Sequence, residues 1–210
     1  VHDTMSPMSE SLVLLAPAAN HVYAGQAGRL CAAELSLTCP NATSVVPLAV
    51  AGVEYLAVRS EGPLQSTDLA AVARSSAALA CFEYRGDLLA PIELPQVDVV
   101  DEDLVTIPKY RGKTNEQFTA LLVNLAAALS TRSAGILDGT LDLLDPLCGR
   151  GTTLNRALRL GLSPVGAEID RKDVEAYRAF LGTWLRTHRY KHTLETTRLT
   201  VHGEQLGSRT

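Results

Sequence analysis

The chain has 210 residues, 46% of them hydrophobic and 20% charged, with a formal net charge of -4. That balance fits one large or two small globular domains and gives no general attraction to a phosphate backbone, so any basic surface must be local. No apolar run reaches the roughly 18 residues of a membrane span, and the apolar stretch Ser11 to Ala19 has no lysine or arginine before it, which argues against a signal peptide.

Val1 to Glu10 is polar and reads as a disordered leader or remnant. Leu12 to Ala16 reads as a first strand. Ala19 to Ala24 follows, then an alanine-rich helix to about Leu37 with Leu30, Ala33, Glu34 and Leu37 at helical spacing. Val45 to Val50 and Glu54 to Ser60 look like two strands around a hairpin turn at Ala51-Gly52-Val53. Gly62-Pro63 breaks the chain, and Asp68 can cap a helix running through Leu79. Ala78 to Tyr84 reads as a strand or the helix end. Leu88 to Ile92 is extended, since Pro91 and Pro95 prevent a long helix. Residues 11–95 thus read as a small α+β unit. The four cysteines, Cys31, Cys39, Cys81 and Cys148, form no C-x-x-C pair. Reduced thiols in a cytoplasmic protein are the expectation, with no metal site.

Residues 96–108 are acidic, with Asp98, Asp101, Glu102 and Asp103, and read as a solvated linker. Thr114 with Gln117 makes a capping box for a helix to about Leu129, whose apolar face carries Phe118, Leu121, Leu122, Leu125 and Leu129. Lys109, Arg111 and Lys113 ahead of it are a local basic patch fit for a phosphate. Gly135 to Thr140 is a turn. Thr152 to Leu160 is a helix closed by Gly161, and Val165 to Ile169 is a strand. Asp170 can cap the next helix, where Val174, Tyr177, Leu181, Trp184 and Leu185 share a side and Trp184 belongs to the core. Arg186, His188, Arg189, Lys191 and His192 cluster near its end, where cations complement the helix dipole. Thr196 to His202 alternates like a third strand.

The chemistry concentrates at Leu141-Asp-Leu-Leu-Asp-Pro-Leu-Cys-Gly-Arg-Gly-Thr152. An apolar run ends on an acid and a proline, and two glycines precede a helix. A second short apolar run, Pro164 to Glu168, ends on another acid roughly 20 residues on, as a nucleoside-binding β-α-β unit requires. Glycines permit positive φ and close backbone approach. The helix N-terminus offers unpaired N–H groups, and a carboxylate at Glu168 can accept both hydrogens of a ribose diol. The third glycine of a dinucleotide fingerprint would fall on Leu154, and no Gly-Lys-Ser/Thr follows, so neither that motif nor a P-loop is present.

The string Asp145, Pro146, Cys148, Gly149, Gly151, Thr152 resembles motif I of the S-adenosylmethionine-dependent methyltransferases of nucleic-acid amino groups. It looks most like the tRNA and 23S rRNA guanine-N2 methylases. The resemblance implies that these residues cradle the methionine end of the cofactor, with Cys148 as a packing residue, and that Glu168 holds the ribose. Lys113, Thr114, Asn115 and Phe118 would pack under the cofactor. The strand, Asn20, His21, Tyr23 and the helix holding Glu34-Leu35 faintly resemble the family's N-terminal RNA-handling region, although satisfied structural roles suit His21 and Tyr23 better.

The implied fold is α/β, a small α+β domain followed over 109–210 by an incomplete Rossmann-like cofactor half. The family's Asp/Asn-Pro-Pro-aromatic tetrad is missing, so no catalytic residue is assigned. The expectation is a fragment that stops near strand three, with an open sheet edge free to pair with another copy. The expected partner is structured RNA, tRNA or rRNA. Two rival readings are a non-catalytic RNA- or protein-binding module, and a methyltransferase of DNA adenine or a small molecule.

Overall fold

The computed structural model describes residues 8–18, 21–201 and 204–209. Of the leader and of the N-terminal resemblance, Val1 to Pro7, Asn20 and the His21 side chain lie outside what it describes. The first half runs β1 (Ser9–Leu15), α1 (His21–Ala24), α2 (Ala27–Thr38), β2 (Ala42–Val50), β3 (Val53–Ser60), α3 (Ser66–Arg74), β4 (Ala78–Tyr84) and β5 (Leu89–Ile92). Its five strands form one antiparallel sheet in the order β2-β3-β1-β4-β5. Alternation places Val13 of the central strand opposite Leu56 and Cys81. Cys31 and Leu35 of α2 and Val72 of α3 pack against that line to make the core. The β2–β3 connection turns on Ala51 and Gly52, both at positive φ, the handedness that matches strand twist in a two-residue hairpin.

Two readings in this half are corrected. The helix at Asp68 ends at Arg74, where Ser75 turns extended, and Ala78 onward is strand β4. Asp68 is not the cap. Gln65 is, and the fully buried Asp68 carboxylate reaches back to accept from the Gln65 N–H at 2.9 Å and from the Asn41 backbone and side-chain amides. Three donors satisfy a charge that burial would otherwise penalise. Ser9 and Glu10, assigned to the leader, belong to β1.

The second half runs α4 (Asp103–Thr106), α5 (Glu116–Ala128), α6 (Gly135–Asp138), β6 (Asp142–Asp145), α7 (Thr152–Arg159), β7 (Ser163–Gly166), α8 (Arg171–Thr187), β8 (Thr197–Val201) and β9 (Glu204–Arg209). β6 and β7 pair in parallel, Leu144 opposite Val165, with α7 as the crossover. Val123 and Ala127 of α5 and Ala157 and Leu160 of α7 enclose a second core with Leu141 and Leu162. α7 ends as expected on Gly161, at φ 71°. The Gly161 N–H donates to Leu158 O and the Leu162 N–H to Ala157 O, a Schellman closure.

The acidic stretch 96–108 is not a solvated linker. Asp98 pairs with Arg156 and Arg159 of α7, the Val99 N–H donates to Arg159 O at 2.7 Å, and Leu104 and Val105 are buried. Charge patterning marks such a run as polar but does not reveal that two arginines await it. Thr196 to His202 does not extend the parallel sheet either. β8 pairs antiparallel with β9 as a separate hairpin, and His202 lies outside the described residues. Period-two alternation identifies a strand without naming its partner. The molecule is therefore mixed α/β, with a mostly antiparallel five-stranded sheet and a small parallel pair. Among the described residues no helix is long and apolar enough to cross a membrane.

A buried polar network joins the halves. Glu34 of α2 accepts from the Ser76 N–H and hydroxyl and from Asn124 Nδ2 of α5 at 2.6 Å. Asn124 Nδ2 and an Arg156 terminal nitrogen both donate to Arg74 O, at 2.7 and 2.9 Å. Tyr23 is buried and donates to the Ser76 hydroxyl, which gives it the structural role expected.

Candidate functional site

The turn leaving β6 is a strand-to-helix junction. Gly149 and Gly151 adopt φ of 52° and 80°, and the Gly151 N–H donates to Cys148 O at 2.8 Å. The Leu147 N–H donates to Asp145 Oδ1 at 3.0 Å, which pins the Asp-Pro bend. The two strand tips are tied by the Ala167 N–H to Asp145 O and the Cys148 N–H to Ala167 O. This brings Glu168 across to the turn, where its Oε2 accepts from the Gly149 N–H at 2.8 Å and its Oε1 from the Asp170 N–H. Those two backbone donors hold the Glu168 carboxyl below the usual glutamate range. Each oxygen keeps a lone pair for a further hydroxyl donor.

The two glycines differ in surroundings. A Cβ on Gly149 would meet nothing within 4 Å, whereas one on Gly151 would lie 2.4 Å from the Tyr177 ring. The turn therefore opens to solvent at Gly149 and is closed behind Gly151. Gly166 is similarly constrained, since a Cβ there would lie 2.7 Å from Cys148 Sγ. Cys148 thus packs against β7. Burial, with Asp145 and Glu168 nearby, raises its thiol pKa, which fits a packing residue and not a nucleophile. Leu147 and Ile169, which follow the strand tips, are 84% and 99% exposed and give the opening an apolar rim.

Residues the motif did not point to complete the floor. Tyr110 shares a 2.8 Å hydrogen bond with Thr152 Oγ1, and Arg150 lies over its ring, 5.1 Å from the centroid, while donating to Asp173. Tyr177 donates to Asn155 Oδ1, and Asn155 Nδ2 donates to Leu104 O. Burial drives the Tyr177 phenol pKa upward. Tyr177 carried one signal in the sequence, its place on the inner side of α8. Tyr110 carried none beyond standing in a basic segment.

The segment ahead of α5 is built differently from its reading. Asn115, not Thr114, is the cap, accepting from the Phe118 N–H at 2.8 Å. Lys113 Nζ donates to Val105 O at 2.6 Å and pairs with Glu116, so it is not part of a free basic patch; Lys109 and Arg111 remain exposed. Thr114 is exposed, and Phe118, Leu122 and Leu129 lie on the outer side of α5, while Leu121 with Thr119, Val123 and Asn124 faces inward. The structure thus joins Asp145, Cys148, Gly149, Gly151, Thr152 and Glu168 in one turn. Lys113 is engaged by α4 and Glu116, and Asn115 by the first turn of α5.

At the far end of α8, Asp170 caps as expected, accepting from the Lys172 N–H. The cluster at its C-terminus is engaged internally only in part, with Arg189 and Lys191 exposed. Arg186 Nε donates to Gly182 O, and His188 stacks on the buried Trp184 and bonds Asp103 at 3.0 Å. Asp101, Asp103 and His188 bring possible ligand atoms within 4.8 Å. Asp103 already accepts from Trp184 Nε1 at 2.8 Å. No family model matches this chain, and no curated protein matches it.

Proposed function

We propose that the chain binds S-adenosyl-L-methionine at the Gly149 turn of a Rossmann-like cofactor half. On this reading it is a methyltransferase, or the cofactor-binding part of one, acting on an exocyclic amine of a base in structured RNA, with guanine N2 of tRNA or rRNA as the expected target. One observation carries the cofactor reading: Glu168 at the tip of β7 reaches the open, left-handed Gly149 at the tip of β6. A ligand laid across that turn meets a glycine with open space above it at one strand and a carboxylate suited to a sugar at the other. The apolar rim of Leu147 and Ile169 suits an adenine face. The RNA target rests on the resemblance of the motif, with Lys109 and Arg111 as exposed cations in the segment ahead of α5.

Isothermal titration with S-adenosylhomocysteine tests the cofactor reading. Weak, saturable binding is expected, and Glu168→Gln weakens it about tenfold by removing the charge-assisted bond to the ribose. Folded protein that gives no heat with millimolar ligand overturns the reading. No methyl transfer is expected of this chain alone, which has no Asp/Asn-Pro-Pro-aromatic string.

A further inference from the structure

A cleft of about 230 Å³ opens between the end of α2, α3 and the α5–α6 corner, lined among others by Thr38, Thr67, Arg74, Asn124, Ser133 and Ile136. None of these residues belongs to the Gly149 turn. Arg74 is 8% exposed, and its Nε is buried without a partner. Among the described residues no acid forms an ion pair with it. Glu34, whose charge it feels, has its oxygens engaged by Ser76 and Asn124. Asn124 is 1% exposed, and its Oδ1 also has no partner, although both arms of the Nδ2 are used.

The contrast with Arg156 is informative. That arginine is equally buried and its Nε is also without a partner, but it has Asp98 against it, so the missing counter-charge is what sets Arg74 apart. A buried cation without a counter-charge is unfavourable, and proteins hold one in place where something else supplies the charge. We propose that this cleft is a binding site for a small oxyanion, the shared chemistry of phosphate and short-chain carboxylate, held by the Arg74 guanidinium. The planar fork of a guanidinium fits two oxygens of either group. The cavity is smaller than the roughly 300 Å³ at which drug-sized ligand sites begin, so the ligand is a few heavy atoms and not a nucleotide. Hydroxyls line it at Thr67 and Ser133, and Ile136 supplies an apolar wall against which a short alkyl tail packs.

Thermal melts at fixed ionic strength in chloride, inorganic phosphate or propionate test this, with the full chain and its Arg74→Met variant. Glu34 keeps its Ser76 and Asn124 donors when Arg74 is replaced, so the variant is expected to fold. In the wild type, phosphate or propionate at tens of millimolar raises Tm by about 3 °C over chloride, and Arg74→Met loses that increment. A response to phosphate alone identifies a phosphate site, and a response to propionate alone a carboxylate site. The general stabilisation of proteins by phosphate is shared by both proteins and cancels in the comparison. Equal responses in the two proteins, or none to either anion, overturn the proposal. If Arg74→Met does not fold, titration of the wild type followed at the Arg74 Nε–H and Asn124 side-chain resonances decides, and unmoved signals refute the site.

Discussion

Gly149 and Gly151 both hold left-handed φ, yet a methyl group has different consequences at each. At Gly151 it collides with the Tyr177 ring, 2.4 Å away, and that ring is fixed by Asn155. Gly151→Ala is expected to cost about 3 kcal/mol in urea denaturation, as overpacking adds to backbone strain. At Gly149 the space is open, so Gly149→Ala pays only the left-handed penalty of about 1 kcal/mol. On the proposed reading it still loses S-adenosylhomocysteine affinity, because the methyl stands where the ligand lies. Glu168 supplies a pH test. Its folded pKa is depressed by the Gly149 and Asp170 amides, so its contribution to stability is present above the unfolded value and is lost as pH falls through the lower folded one. The Gly149 and Asp170 amide resonances should therefore titrate together, with a midpoint below the ordinary glutamate value of about 4.3.

At the level of elements, the sequence was legible wherever a local rule acts alone. The strands β1 and β3, the Asp170 cap and the Gly161 closure all follow from residue type and spacing. Where two local rules compete, the reading went astray. Thr114 and Gln117 fit a capping box, but Asn115 caps α5 one position later, and asparagine outranks threonine at that role. Asn115→Ala is accordingly expected to lower stability by about 1 kcal/mol while Thr114→Ala stays within about 0.5, measured by urea midpoint. The apolar stripe of α5 also misled. Phe118, Leu122 and Leu129 are exposed, and the buried side includes Thr119 and Asn124. Helical spacing could not separate the sides, because α5 is apolar almost all round and a buried asparagine is chosen by a long-range acid, Glu34.

Across the whole molecule, the turn motif was legible because glycine, acid and proline each answer a local backbone demand. Tyr110 and Tyr177, brought to it from 42 and 22 residues away along the chain, were not, since nothing near them in sequence reports the contact. The parallel pair is covered on one face by α7. On the other, Leu144 and Val165 stand opposite each other, 67% and 57% exposed. Two strands with a bare apolar face and open edges invite pairing. Sedimentation velocity should show association that grows with protein concentration, and Leu144→Lys should suppress it without lowering the melting temperature by more than a few degrees. A monomer at all concentrations would rule this surface out.

The Glu34–Ser76–Asn124 knot has a bearing on any attempt to treat the halves as interchangeable modules. A chimaera that grafts the antiparallel sheet onto a different partner takes the Asn124 donor from the Glu34 carboxylate and both donors from the Arg74 carbonyl at a dry seam. Shuffling at this joint succeeds only when the asparagine of the incoming helix travels with it, so the two halves are bound to change together.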